Sequence, residues 1–220
     1  MTEIAVTTLV EALANTLRNQ VVSGELAPGT RVTEQSVAAQ HDVARPTAKA
    51  AIERVVQSGV LRRTANKTAR VPELTKAEAA DLYRSRLLIE HGVVRYLALN
   101  HIVPTVAQSA LFDMKRAVEL ADIIAAVDAD ARFHTALVSA SGSERITRAY
   151  DGLMGEARLL MAQERAGSEF QPFPHYEDHR EILLAVESSQ PELAQTLIIR
   201  HYVTAARRVL GEPLDITGWV

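Results

Sequence analysis

Residues 45–70, RPTAKAAIERVVQSGVLRRTANKTAR, carry Arg45, Lys49, Arg54, Arg62, Arg63, Lys67 and Arg70 against a single acid, Glu53, in a chain whose formal net charge is −3. A nucleic-acid duplex presents about one negative charge per 1.7 Å of axis, so a clustered basic face gains affinity by displacing counterions, whereas scattered lysines only solubilise. Within the stretch, Pro46 stands in the first turn of a predicted helix, where a missing amide hydrogen costs least. Ala48, Ala51, Ile52 and Val55 form its apolar stripe, and Arg45 and Lys49, four apart, lie together beside that stripe. After Ser58-Gly59 come Val60-Leu61, a polar run from Arg62 to Arg70 and then Val71, a pattern that suits a two-stranded hairpin.

Upstream, Leu9, Leu13, Leu17 and Val21 recur every four residues, and Ser23-Gly24 supplies a left-handed stop. Pro28-Gly29 makes a turn. Thr33 can cap a short helix over Glu34 to Gln40, and His41-Asp42-Val43 breaks that helix before the next begins near Arg45. Helix, helix-turn-helix and hairpin describe a winged helix-turn-helix over residues 1–74. That region has a net charge of +2, against −5 for residues 75–220. At the junction Pro72 precedes Thr75-Lys-Ala-Glu78, a capping box that starts a new helix.

Composition narrows the class of protein. With 220 residues, 47% of them hydrophobic, the chain can bury a substantial core. It has no cysteine, which removes disulfides and thiolate metal sites and fits a reducing cytoplasm. No apolar run reaches membrane-spanning length, and residues 1–20 carry Glu3 and Glu11 without the basic start and apolar middle of an export signal. A cytoplasmic, nucleoid-associated protein with no membrane partner is expected.

From Thr75 onward the periodicity is helical. Six segments are predicted, at about 76–100, 105–126, 128–141, 143–166, 174–188 and 191–210, separated by Pro104, Ser141-Gly142, the Gly167 to Pro174 stretch and Ser189-Gln-Pro191. The fold expected is mainly α, with an N-terminal winged helix-turn-helix and a C-terminal antiparallel helical bundle. No glycine-rich phosphate loop and no Gly-x-Ser-x-Gly elbow occurs.

Four residues of the second region point inward. Asp130 and His134 share a helix face with Leu137 and Val138; His179 shares one with Ile182, Leu183 and Val186, and His201 one with Leu197, Ile198 and Ala205. A buried aspartate is costly unless paired or metal-bound, and three histidines from three helices with one carboxylate make a site for a borderline divalent ion. Zinc leads the candidates, with nickel, iron, copper and manganese behind it. His91, His101 and His175 have no comparable partners and read as surface or structural. Trp219 and the tail after Gly211 carry no functional signal.

The first region resembles the GntR family of bacterial transcription regulators, through Gly24-Glu-Leu-Ala-Pro-Gly-Thr-Arg31, Val43-Ala-Arg-Pro-Thr-Ala-Lys-Ala-Ala-Ile52 and Gly59-Val-Leu61. The resemblance implies that Arg45 reads a base edge in the major groove. It implies that Gln35, Thr47 and Lys49 contact nearby bases or phosphates, and that Asn66 and Lys67 at the wing tip approach the minor groove. Lys49 stands where the family has arginine, which keeps the charge but loses the planar fork that grips guanine. Asn66 takes the place of the usual wing glycine. The second region resembles the effector domain of the FadR branch, the FCD type. The matching residues are Asp130-Ala-Arg-Phe-His134, Asp178-His179-Arg-Glu-Ile-Leu and His201-Tyr. Six helices rather than seven suggest its VanR-like subgroup. In that family the metal lies at the base of a cavity for a small carboxylic acid, and Arg86 matches a recurrent arginine of the first effector-domain helix, the candidate effector ligand.

The function expected is a ligand-responsive repressor binding a pseudo-palindromic double-stranded DNA operator as a homodimer, with residues 75–220 holding the metal and effector and forming the dimer. Two alternatives stand beside it: a metal-dependent enzyme using the Asp/His3 site, and a DNA-binding protein whose metal is purely structural. An enzyme would need a general acid or base at the metal. Glu177 and Asp178 precede His179, but adjacent helix positions face different ways, so no base converges and a non-enzymatic role is preferred.

Overall fold

The computed structural model describes residues 8–63, 67–166 and 176–220, with the backbone alone for 164–166. Asn66, His175 and the predicted break from Gly167 to Pro174 therefore lie outside the described residues. The chain divides into two compact units, Met1–Glu73 and Leu74–Val220.

In the first unit, α1 (Leu9–Val22) is capped by the Thr8 side chain, which accepts from the Glu11 amide, and the chain leaves it through Gly24 at φ +83°. A left-handed backbone at that point suits glycine, which has no Cβ to clash. A short strand, β1 (Arg31–Val32), leads into α2 (Glu34–Gln40). Thr33 Oγ1 accepts from the Ser36 amide at 3.0 Å while the Ser36 hydroxyl accepts from the Thr33 amide at 3.3 Å, a reciprocal cap. Asp42, at φ +49°, turns the chain into α3 (Arg45–Gln57). The predicted stripe of Ala48, Ala51, Ile52 and Val55 is fully buried, and α3 packs on α1 and α2. Burying a side chain such as Ile52 is worth about 1.5–3 kcal/mol.

The predicted hairpin takes a different form. β2 (Ala69–Arg70) pairs antiparallel with β1, Arg31 opposite Arg70, while Arg62 makes a single bridge to Arg70. The wing thus leans on a strand ahead of α2 that the sequence reading left out, because two residues are too few to show alternation.

In the second unit the helices are α4 (Lys76–Leu99), α5 (Thr105–Glu119), α6 (Ile123–Ala140), α7 (Glu144–Ala166), α8 (Tyr176–Glu187) and α9 (Pro191–Leu210), an antiparallel all-α bundle. The Thr75 capping box forms as read, Thr75 Oγ1 accepting from the Glu78 amide at 3.2 Å and a Glu78 carboxylate oxygen accepting from the Thr75 amide at 3.0 Å. Helix α4 packs along α9, α5 on α6, α6 on α7 and α8 on α9, around Leu87, Leu97, Met114, Phe133, Leu137 and Tyr202.

One expectation is corrected here. The predicted helix over 105–126 ends at Glu119: Ala121 takes φ +54°, and the Asp122 side chain accepts from the Ala125 amide at 3.0 Å to start α6. No glycine or proline marks that break. The tail after Gly211 also has a structural part, since Leu214 is buried, Arg84 Nε donates to the Asp215 carbonyl at 2.7 Å, and the Arg84 guanidinium lies 5.9 Å from the Trp219 ring centroid. Among the described residues, no helix is long and apolar enough to cross a membrane.

Candidate functional site

The basic face of the first unit is built on the start of α3. Arg45 and Lys49 are exposed and Thr47 is half-buried, one turn above the buried stripe that fixes the helix. A concavity of about 350 Å³ opens between the starts of α2 and α3 and the strand β2, and its lining includes Gln35, Arg45, Arg63 and Lys67. Three of the residues named from sequence, on three separate stretches of chain, thus share one hollow, with Lys49 one turn further along α3. Other basic residues of the cluster are engaged within the unit. Arg63 Nη1 pairs with Glu53 Oε1 at 2.6 Å, Arg54 pairs with Glu11, and Arg70 Nη1 donates to the Gly29 carbonyl at 3.0 Å. These contacts brace the wing and α1, so charge along the sequence overstates the number of cations presented at the hollow.

In the second unit the four inward residues converge. Asp130, His134, His179 and His201 are all buried, with no more than 5% exposure. The three imidazole centroids lie 4.5–5.2 Å from one another. His134 Nε2 and His179 Nε2 are 3.1 Å apart, and Asp130 Oδ1 is 3.1 Å from His179 Nε2 and 3.9 Å from His134 Nε2. Two nitrogens bonded to one zinc at about 2.0–2.1 Å would stand roughly 3.0–3.4 Å apart. The donor set therefore fits a divalent ion: nitrogen and oxygen atoms only, aimed at a common point from α6, α8 and α9. His134, His179 and His201 together could hold a metal ion, and Asp130 lies within reach of the same point. Phe133 stands edge-on to the His179 ring at 4.7 Å and walls the cluster on that side.

The electrostatics suit metal ligation. Burial pushes the His134 pKa down, and the nearby Arg86 charge adds to this against the pull of Glu90, which leaves a neutral imidazole at neutral pH. Burial works against the Asp130 charge, yet the hydrogen bond from His179 and the positive groups around it, Arg86 among them, hold its carboxyl far below the usual range. A neutral imidazole and an ionised carboxylate are the forms that bind metal.

Arg86 is buried in α4 rather than lying on its surface. Its Nε donates to the Tyr150 hydroxyl at 3.3 Å and lies 3.9 Å from Glu90 Oε1, and its guanidinium stands 5.1 Å from the Tyr202 ring centroid. Its Nη2, also buried, has no hydrogen-bond partner among the described residues. A buried guanidinium nitrogen left open is costly and well suited to receiving an anionic oxygen.

Glu90, Tyr150 and Tyr202 belong to this site and were not named from sequence. Arg86 and Glu90 are four apart on one helix, a spacing usual for a solvent-exposed ion pair, so the pattern hid a carboxylate that is wholly buried. Two other histidines lie elsewhere: His91 Nδ1 is 3.3 Å from Gln195 Nε2, and His101 Nδ1 is 2.6 Å from the Ser189 hydroxyl.

Two family models match the chain: "Bacterial regulatory proteins, gntR family" over residues 9–71 and "FCD domain" over residues 81–204. The chain is 25% identical over 197 residues to a protein of Paenarthrobacter nicotinovorans named as a D-xylose utilization operon transcriptional repressor, covering 89% of this chain and 86% of that one. It is 27% identical over 177 residues to the gluconate operon transcriptional repressor of Bacillus subtilis, covering 78% and 72%. A crystal structure of a GntR transcriptional regulator from Rhodococcus sp. RHA1 superposes with a TM-score of 0.77 at 25% identity, covering 92% of this chain and 97% of that one. E. coli McbR/YncC shares the fold, with a TM-score of 0.76 at 19% identity over 94% and 99% of the two chains. The Paenarthrobacter and Bacillus relatives are named as repressors and the Rhodococcus structure as a regulator, and nothing among these matches supports the metal-dependent enzyme reading. The chain belongs to the GntR family of bacterial transcription regulators, a family of non-enzymes, in the group that carries an FCD domain.

Proposed function

We propose that the protein is a ligand-responsive repressor that binds a pseudo-palindromic operator as a homodimer in the cytoplasm. Residues 1–74 bind DNA, and residues 75–220 hold the metal, take the effector and form the dimer. The six helices among the described residues of the second unit support assignment to the VanR-like subgroup of the FadR branch. The observation that carries the reading is the pairing, within one chain, of an exposed basic helix start with a buried Asp/His3 cluster beside the open Arg86 Nη2.

On the DNA side, Arg45 reads a base edge in the major groove, and Gln35, Thr47 and Lys49 reach adjacent bases or phosphates. Lys67, with Asn66, approaches the minor groove from the wing. A two-fold dimer sets two such faces on two half-sites, which is why the operator is pseudo-palindromic.

On the effector side, Asp130, His134, His179 and His201 would hold a divalent ion, zinc first. When bound, that ion supplies open coordination positions to a carboxylate. Arg86 offers Nη2 to the same anion and orients it. A small carboxylic acid is the effector class, and the gluconate operon named for one relative is consistent with a hydroxy acid. The effector changes operator affinity by the ratio of its own affinities for the DNA-competent and DNA-incompetent states.

The test is sequencing of genomic fragments retained by the purified protein, with Arg45→Ala protein in parallel. Enrichment of a two-fold site by wild type and not by Arg45→Ala is the expected result; equal retention of the same fragments by both proteins would refute the assignment.

A further inference from the structure

We propose that Glu90 is the positioning residue of the metal centre: it fixes His134 in the tautomer that presents Nε2 to the ion, and it joins that ligand to Arg86 through one hydrogen-bonded chain. The inference rests on the reading of Asp130, His134, His179 and His201 as metal ligands.

Glu90 sits on α4, a helix that supplies none of the four ligands, and its side chain is fully buried. A carboxylate in such a place is tolerated only when its oxygens are used. Oε2 accepts from His134 Nδ1 at 2.6 Å, and Oε1 accepts from the hydroxyls of Tyr150 on α7 and Tyr202 on α9.

With two hydroxyl donors and the Arg86 guanidinium gathered at Oε1, the group is surrounded by donors, and Oε2 is the acceptor that faces His134. The hydrogen between Glu90 and His134 therefore lies on Nδ1, and in the neutral ring Nε2 must carry the lone pair. That Nε2 is the atom 3.1 Å from His179 Nε2 and turned toward Asp130. Rotation of the carboxylate, which would release the ring, is blocked because Oε1 is held from two other helices. The same oxygens close a path to the candidate effector ligand, since Arg86 Nε donates to the Tyr150 hydroxyl, which in turn donates to Glu90. A carboxylate behind a ligand imidazole fixes its orientation and raises its basicity, and loss of such a partner costs about 10–100-fold in metal affinity.

The experiment measures zinc affinity of the full chain by competition with a chromophoric chelator, for wild type, Glu90→Gln, Tyr202→Phe and His134→Ala, with thermal unfolding of each metal-free protein. Glu90→Gln keeps the volume and removes the charge, and it should weaken zinc binding about 10–100-fold. Tyr202→Phe removes one donor to Glu90 but leaves the contact with His134, so it should lower stability without a matching loss of zinc affinity. Nitrogen-15 spectra of the imidazoles supply a readout that packing alone would not move. Metal-free wild type should show His134 protonated at Nδ1, and Glu90→Gln should shift that tautomer balance. The inference is overturned by equal zinc affinity in wild type and Glu90→Gln, by affinity losses that merely track stability in both variants, or by His134 protonated at Nε2 in the metal-free wild type. Failure of the underlying reading looks different: wild type would bind no zinc, or His134→Ala would bind it unchanged, and either result removes the metal centre and this inference together.

Discussion

Stripping zinc from the loaded protein should lower the unfolding temperature of the helical unit and leave that of the winged unit unchanged. The donors come from α6, α8 and α9, so a bound ion ties three helices that otherwise meet through apolar packing and a few polar contacts, such as Arg200 with Asp178 at 3.2 Å. An ion present at about 1,000 times its dissociation constant, binding the folded state alone, adds about 4.1 kcal/mol. For a unit of roughly 150 residues, 1 kcal/mol moves the midpoint by about 2–4 °C, which gives a shift of roughly 8–16 °C. Residual binding of zinc to histidines in the unfolded chain would reduce that figure. Differential scanning calorimetry in excess zinc and in excess chelator measures it directly, and only the transition of the helical unit should move with zinc. His134→Ala supplies the control. It deprives Glu90 of a buried donor and should lower the metal-free midpoint through a loss of about 1.5–3 kcal/mol, and the response to zinc should vanish with it. Identical midpoints in zinc and chelator for the wild type, or a full zinc response in His134→Ala, would refute the argument.

Arg86→Gln should leave zinc binding in place while weakening, by about 10–150-fold, the binding of whichever acid the zinc-loaded wild type takes from a panel of small carboxylates. That range is the loss of a hydrogen bond to a charged group, about 1.5–3 kcal/mol, and unchanged calorimetric affinity would dismiss Arg86 as an effector ligand. Ile52→Ala, at a fully buried position of α3, should destabilise the winged unit by about 2–5 kcal/mol in urea unfolding while leaving zinc affinity untouched. A loss below about 0.5 kcal/mol would mean that α3 is not packed as described.

Much of the fold was legible because its signals are local. The Thr75 capping box, the Ala48 to Val55 stripe and the Gly24 stop each depend on residues within one or two turns, and each forms as the sequence implies. Where a boundary depends on a conformation without a dedicated residue type, the reading slipped, as at Ala121, whose positive φ no alanine announces. The site divides the same way. Spacing of four put Asp130 and His134 on one face, and apolar neighbours turned His179 and His201 inward, but only tertiary packing brings the three helices to one point. Glu90 was hidden for the opposite reason: its local pattern was clear and misleading, because burial of α4 between α7 and α9 turns a surface-style ion pair into an internal one.

The position of α9 in the chain also sets an order in time. His201 and Tyr202 lie on the last helix, separated from His134 by all of α7 and α8. Domains emerging from the ribosome fold as units, the N-terminal one first. A newly made chain therefore has a folded basic face well before it has a complete set of donors, and a chain cut short ahead of Pro191 would keep the first and never acquire the second. A metal held by these four residues would thus report that the chain has been made through α9.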